Sequence, residues 1–248
     1  MPMTRLQRIE TANAAVLKRY AAAGGAALDH FGPLDGLYAG PDLPVNVAFG
    51  ESWQAGAGAA LPQVEAFCAA HGFPAGLLLH SHAHPALLSA LSERGYRLSY
   101  VLHAYVHALS GELPMPRFPA EEVTPATWAE QTPLVFGAGS EAIMKRNAEK
   151  PNTRCLGVKR AGSWVGFGAM SLETGEWGRA ALLYSAGTLP QARGQGIQTA
   201  LLAARLRLAR DSGANFAAVY ASPGSVSERN VVRAGFELVG ARLNFVQS

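Results

Sequence analysis

Apolar and polar positions follow two periods along this chain. Between 153 and 189, the apolar runs Arg154–Val158, Trp164–Ser171 and Ala180–Leu189 are separated by turns at Ala161-Gly162 and Thr174-Gly175. Short apolar runs punctuated by glycine predict an antiparallel meander. Leu189-Pro190 closes its last strand, because proline has no N–H to give to a ladder. The period then lengthens. Ile197, Leu201, Ala204 and Leu208 fall at i, i+4, i+7 and i+11 and predict one buried helical stripe, which Ser212-Gly213 ends. A further strand, Ala217–Tyr220, is followed by the Ser-Pro-Gly-Ser loop at 222–225, a helix over Ser227–Arg233 and the pair Gly235-Phe236.

The same order of elements occurs earlier. Leu77–His80 through Gly95-Tyr96 parallels Ala217–Tyr220 through Gly235-Phe236 at a constant offset of 140 residues, without a gap. The offset sets Trp53-Gln54-Ala55-Gly56-Ala57-Gly58 opposite Arg193-Gly194-Gln195-Gly196-Ile197-Gln198, and Val45–Phe49 opposite Ser185–Leu189. Element order carries this inference more than residue identity, and the alternative is a chance likeness of two ordinary strand–helix units. The repeat predicts two domains, 1–112 and 113–248. They join at Gly111–Pro119, where three prolines in nine residues form a stiff linker.

Composition narrows the class. Of 248 residues, 49% are hydrophobic and 16% charged, which suits a globular core and excludes disorder over most of the chain. No apolar run approaches the ~20 residues of a membrane helix. No basic segment followed by an apolar stretch opens the sequence, so no signal peptide is expected. Cys68 and Cys155 stand too far apart in sequence for a disulfide framework, and a reducing cytoplasm is the expected compartment. Residues 1–112 carry 6 Lys and Arg against 8 Asp and Glu, whereas residues 113–248 carry 15 against 10. The basic half suits an anionic ligand, but its field is too mild for nucleic acid. All seven histidines lie before residue 108, which excludes a Ser-His-Asp or Cys-His site confined to the second half.

The second half holds the sharpest chemical signal. Gln191-Ala192-Arg193-Gly194-Gln195-Gly196-Ile197-Gln198-Thr199 lies between a strand and a helix. Gly194 and Gly196 permit close backbone approach and unusual φ values. Free N–H groups of the first helical turn favour an anion, and Arg193 and Thr199 add a charge and a hydroxyl, so the turn suits a phosphate or diphosphate. A Walker-type loop needs Gly-Lys-Ser/Thr, which is absent. A dinucleotide fingerprint needs Gly or Ala at position 199 and an opening βαβ unit, and both are missing. An ordinary strand-to-helix turn is the remaining alternative.

Arg193-x-x-Gly196 after Pro190 resembles the Q/R-x-x-G-x-G/A acyl-CoA motif of the GNAT superfamily of acetyl-CoA-dependent N-acetyltransferases. The strand, Ser-Pro-Gly-Ser loop, helix and Gly235-Phe236 that follow occur in that family's order. The resemblance covers 113–248 and extends weakly, through the repeat, to a degenerate first copy. It implies an α/β fold of the α+β type: two tandem GNAT folds, each a mostly antiparallel twisted sheet flanked by helices. It also implies acetyl-CoA as acyl donor. Backbone at Ala186, Gly187, Thr188 and Leu189 would pair with the pantetheine arm, and an N–H there would face the thioester oxygen. Arg193, Gly194, Gln195, Gly196, Ile197, Gln198 and Thr199 would hold the diphosphate, with Ser225, Ser227 and Asn230 flanking pantetheine or nucleotide.

Departures limit the resemblance. Gln198 replaces the motif's last Gly or Ala, and Val231 stands where the family often carries a tyrosine. Glu173 and Glu176 read as turn residues, and Tyr184 and Tyr220 read as packing before they read as proton donors. The catalytic acid and base are therefore unassigned. In the first copy Trp53 replaces Arg193 and Pro62 suits only a first helical turn, which favours a structural role. His80, His82 and His84 alternate on a strand, with His103 and His107 on a later one. No carboxylate or cysteine adjoins them, so capping or solvated histidines are expected and no metal site. Cys68 and Cys155 read as buried apolar residues, and Arg205, Arg207 and Arg210 as a solvated helix face. The expected function is transfer of an acetyl group from acetyl-CoA to a small-molecule or peptide amine within a ternary complex. The alternative is an acyl-CoA-binding regulatory or partner-binding protein without chemistry. Neither nucleic acid nor a membrane is an expected partner, and acceptor and oligomeric state stay open.

Overall fold

The computed structural model describes residues 2–22 and 25–247 of the chain. Its residues fall into two compact units, 1–104 with 239–248, and 105–238. The division differs from a simple cut at 112. The C-terminal strand pairs antiparallel with a strand of the first unit, from Arg242↔His80 to Val246↔Gly76. A sequence repeat marks where a copy begins but does not say which sheet its last strand joins.

The first unit opens with α1 (Arg5–Lys18), whose start is fixed by a capping box between Thr4 and Gln7. It continues through β1 (Ala27–Phe31), β2 (Leu34–Tyr38), β3 (Val47–Gly50), α2 (Leu61–Ala70), β4 (Gly76–His80) and α3 (Pro85–Glu93). β5 (Tyr96–His107) then crosses the division between the units. β1 with β2 and β2 with β3 are antiparallel, and β3 with β4 is parallel at Ala48↔Leu77. Leu61, Val64, Phe67, Leu77, Leu79, Leu87 and Leu91 form the core between these strands and helices α2 and α3.

The second unit continues with β6 (Glu121–Glu122), α4 (Pro125–Gln131), α5 (Pro133–Phe136), α6 (Glu141–Glu149), β7 (Thr153–Arg160), β8 (Ser163–Gly175) and β9 (Gly178–Thr188). It ends with α7 (Ile197–Asp211), β10 (Phe216–Ala221) and α8 (Val226–Arg233), before β11 (Glu237–Gln247) carries the chain back to the first unit. The meander expected between 153 and 189 is β7, β8 and β9, antiparallel throughout. β10 is parallel to β9. Met170, Leu183, Ala217 and Val219 meet Leu202 and Leu206 of α7 on one face of these strands. On the other, Trp128 of α4 is fully buried, donates Nε1–H to the Met144 carbonyl at 3.0 Å, and packs on Phe167. Helix α7 is buried on more than the expected stripe: Ile197 and Leu201 are covered, Ala204 and Leu208 only partly, and Leu202, Leu206 and Ala209 complete the contact.

The 140-residue offset survives in three dimensions. β4 maps onto β10, α3 onto α8, and the start of β5 onto the start of β11, each within one residue. Each copy is mostly antiparallel with a parallel pair, β3 with β4 and β9 with β10, and is flanked by helices.

Candidate functional site

The site is built where β9 leaves its parallel neighbour. β9 pairs with β10 from Ala180↔Phe216 to Leu183↔Val219. β9 then runs on to Thr188 paired, among the described residues, with β8 alone, and its residues change from buried to half-buried. The β8–β9 ladder is irregular there. Tyr184 faces Ala169 and Gly187 faces Phe167, so Ser185 and Ala186 stand opposite Gly168 alone. Such a bulge re-aims the strand, and Ser185 adopts φ 44° to accommodate it. Asn147 Nδ2 donates to the Ser185 hydroxyl at 3.0 Å and braces it.

The turn that follows is open. Gly194 and Gly196 have φ 73° and 84°, values that a Cβ would oppose. Gly196 caps α7 from a left-handed conformation, and no side chain caps that end. Among the described residues, the amides of Gly194, Gln195 and Gly196 donate no backbone hydrogen bond. Unsatisfied N–H groups and the positive end of the helix dipole thus meet beside Arg193.

A cavity of about 800 Å³ lies against this turn. The end of β9 (186–188), the turn and the first residues of α7 (197–199) form one side. Val226, Ser227, Asn230 and Arg233 of α8 and Val135 and Phe136 of α5 form the rest. A Cβ on Gly187 would come within 2.5 Å of Val135, so α5 rests directly on the strand only because that residue is glycine. Arg193 and Arg233 are the charged groups of the lining, which contains no carboxylate, imidazole or phenol. Thr188 Oγ1 is buried and unpartnered among the described residues, an unmet polar group at the cavity wall. The cavity's size, basic charge, free amides and orphaned hydroxyl fit the phosphates and amide-bearing arm of an acyl-CoA.

Most of the residues expected from sequence line this cavity: 186–188, Arg193, Gly194, 196–199, Ser227 and Asn230. Leu189, Gln195 and Ser225 do not. The Leu189 N–H donates to the Val165 carbonyl, Gln195 Nε2 folds back on the Gln191 carbonyl, and the Ser225 hydroxyl caps α8 by accepting the Glu228 N–H. Val135 and Phe136 carry no signal in the sequence, because the four-residue helix α5 is too short to show a period. Val226 and Arg233 also line the cavity, and nothing in their local pattern sets them apart.

The acid–base candidates lie elsewhere. Val231 is buried. Glu173 is not a turn residue but is buried on β8, where it accepts from the Ser171 hydroxyl at 2.8 Å. Lys150 is buried with its ammonium 4.2 Å from the Tyr184 ring. Burial pushes that ammonium down to about 7, partly countered by Glu173. Tyr184 OH is hydrogen-bonded to Thr153 Oγ1 at 2.9 Å, and Tyr220, the last residue but one of β10, is outside the lining. Both thiols are buried, and burial raises Cys68 to about 11 and Cys155 to about 12, so neither is a ready nucleophile.

Two further sequence expectations need correction. Arg205 is not solvated. It is 1% exposed and donates to main-chain carbonyls, while Arg207 donates to Leu113 and Pro114 and Arg210 to Gly111. In the first unit His84 does cap α3, but His80 is buried against a carboxylate that the linear sequence hides. Glu10 of α1 lies 3.3 Å from His80 Nδ1 and 3.0 Å from His82 Nε2, and accepts from Ser52 Oγ at 2.6 Å. No group of three metal-ligating side chains is arranged for an ion among the described residues.

This combination of a bulged strand, a parallel pair that ends early and a glycine turn into an uncapped helix belongs to the GNAT fold. Residues 119–236 match the model of the acetyltransferase (GNAT) family. A GCN5-related N-acetyltransferase from Kribbella flavida has a similar structure, with TM-score 0.77 and 20% identity over 99% of this chain and 96% of that one. A tandem GNAT protein from the clavulanic acid biosynthesis pathway gives TM-score 0.62 and 14% identity over 96% and 92%. A GCN5-related N-acetyltransferase from Sphaerobacter thermophilus gives 0.61 and 16% over 90% and 75%. No curated protein matches the sequence significantly. Residues 119–236 thus belong to the GNAT acetyltransferase family, whose fold supports acyl transfer, and the chain as a whole shares the fold of these structures. No helix is long and apolar enough to cross a membrane among the described residues.

Proposed function

We propose that the second unit transfers an acetyl group from acetyl-CoA directly to an amine held in the same cavity. The observation that carries this reading is the open turn: amides at 194–196 that donate no backbone hydrogen bond among the described residues, the uncapped start of α7, and a cavity of about 800 Å³ lined by Arg193, Gly194 and Gly196. The diphosphate belongs on that turn and the pantetheine arm along 186–188, where Thr188 Oγ1 awaits a partner. Direct transfer is favoured over a covalent acyl-enzyme because both cysteines are buried with raised pKa values and no base adjoins the lining hydroxyls. The cavity offers no carboxylate to bind a second cation, so the acceptor enters as a neutral amine, a small molecule or a peptide terminus. Isothermal titration with acetyl-CoA, followed by thiol release against an amine panel, tests the reading. Absence of acetyl-CoA binding at millimolar concentration would sink it.

One observation favours a second reading, an acyl-CoA-binding protein without turnover. No acid or base side chain lines the cavity, and Val231 occupies the position where a tyrosine would be expected. Tight binding with no thiol release from any amine would select this reading. Turnover with a single amine would exclude it.

A further inference from the structure

The buried cation Arg205 has no role in the reading above, yet it sits behind the one irregular point of the cavity strand. Its Nε donates to the Leu201 carbonyl of its own helix at 3.1 Å. Its Nη1 donates to the Ala169 carbonyl on β8 at 3.1 Å and, at a longer 3.5 Å, to the Tyr184 carbonyl on β9. Ala169 and Tyr184 are the last residues paired in register before the bulge. Gly168, the single residue opposite Ser185 and Ala186, leaves the space the guanidinium fills, since a Cβ there would lie 3.0 Å from Arg205 Cζ. No carboxylate shares in these contacts; carbonyls alone satisfy the charge. A buried cation without a counter-ion is costly, and the same helix position in the first copy, 140 residues earlier, is a half-buried Glu65 paired with Arg94. A hydrophobic residue would fill the core at lower cost. What Arg supplies is a rigid guanidinium that holds its own helix through Nε while Nη1 reaches carbonyls on both strands, a set of contacts that neither an apolar side chain nor a single Lys ammonium reproduces.

We propose that Arg205 is a positioning residue for the acyl-CoA cleft, tying β8 to β9 on one side of the bulge and so fixing the backbone of 186–188 against the pantetheine arm. The proposal rests on the acyl-CoA reading of the cavity. It separates two parts of one ligand. The phosphates meet the turn at 193–199, which Arg205 does not touch, and the arm meets the strand that it holds.

The experiment compares acetyl-CoA with 3′-phosphoadenosine 5′-diphosphate, which keeps the phosphates and lacks the arm. Both are titrated into wild type and Arg205→Lys, with thermal unfolding as a check on folding. The expected result is about a tenfold weaker acetyl-CoA affinity in the variant, the size of one lost set of hydrogen bonds, with unchanged affinity for the nucleotide probe. Equal weakening of both ligands, or of neither, overturns the proposal. If Arg205→Lys does not fold, Gly168→Ala presses on the guanidinium from the strand side and carries the same expectation. Wild-type affinity for acetyl-CoA in that variant also overturns it. A wild-type protein that binds neither ligand overturns the acyl-CoA reading itself, a result distinct from a selective loss.

Discussion

The two copies of the strand–turn–helix differ in what fills the place where their parallel strands part. In the second unit β9 outruns its pairing with β10 and the space beyond is a cavity. In the first, the chain leaving β3 is stitched across to the chain leaving β4. Ser52 accepts the His84 N–H on its carbonyl at 2.8 Å, meets the His80 N–H with its hydroxyl at 3.5 Å, and donates that hydroxyl to Glu10 at 2.6 Å. Trp53 stands where the second copy has Arg193, and stacks on His82 with ring centres 5.2 Å apart. The glycines diverge too. Gly194 and Gly196 take left-handed φ values and leave their amides free, whereas Gly58 lies in a 3-10 turn, where a Cβ would meet the Ala86 carbonyl at 3.1 Å. One element order therefore yields a ligand cleft or a closed core. The outcome depends on whether a few polar side chains seal the opening.

The comparison is broken most directly at its seal. Glu10→Ala removes the acceptor shared by Ser52, His80 and His82 and leaves buried polar groups unpaired. The expected cost is about 3 kcal/mol in the first unit, read as faster hydrogen exchange at β3 and β4. Acetyl-CoA affinity should not change. Loss of that affinity would mean that the seal serves the cavity of the second unit.

Charge at the turn is the next lever. Arg193→Glu places a carboxylate beside the expected diphosphate and should weaken acetyl-CoA about 100-fold, the loss of roughly one charge-assisted contact plus repulsion. The equivalent change in the first copy, Trp53→Glu, should leave both affinity and a stoichiometry of one per chain unaltered. A wild-type stoichiometry of two would erase the distinction between the copies.

How much of this was legible in sequence follows from range. The meander, the helix α7 and the glycine turn depend on neighbours within a dozen residues; each element is where the pattern put it, though α7 buries a wider face than its predicted stripe. The 140-residue repeat was readable because spacing survives when identity does not. Glu10 beneath His80, Arg205 behind Gly168 and Val135 on Gly187 are contacts between distant segments, and none has a local period. Arg205 shows the failure most clearly. Arginines at 205, 207 and 210 look like a solvated face until the bulge opposite Gly168 supplies carbonyls for one of them.

Acidity probes the seal more gently. Burial, only partly countered by Glu10, holds His80 below its ordinary value, so the native first unit resists a proton that the unfolded chain accepts near 6.5. His80 therefore supports stability above that pH, and the support is lost as pH falls below it. Glu10 is also held low: burial alone would raise it, but hydrogen bonds from His80, His82 and Ser52 outweigh that. It stays ionised across the same window and adds no slope there. Thermal unfolding between pH 7.5 and 5.5 should show falling stability of the first unit, and His80→Gln should flatten the profile. In the second unit the cavity has no titrating acid or base, so turnover should climb with pH toward the amine's own pKa of about 10. A plateau near 7 would point instead to an enzyme group.

The smallest expected effect asks whether the orphaned hydroxyl of the cavity is there for a ligand. Thr188→Val keeps the shape and the β-branch and removes only Oγ1. A buried hydroxyl with no partner costs stability in the free protein, so the variant should be as stable as wild type or slightly more so. If the hydroxyl pairs with the pantetheine arm, acetyl-CoA affinity falls about fivefold, near 1 kcal/mol, while the nucleotide probe lacking the arm binds as before. The opposing signs matter more than their sizes: a group kept for packing would lose stability on substitution and leave affinity alone. Gain in stability with loss of affinity for the arm-bearing ligand alone is the signature of a binding group held in readiness, and the first copy, sealed by Ser52 and Glu10, has no equivalent to show it.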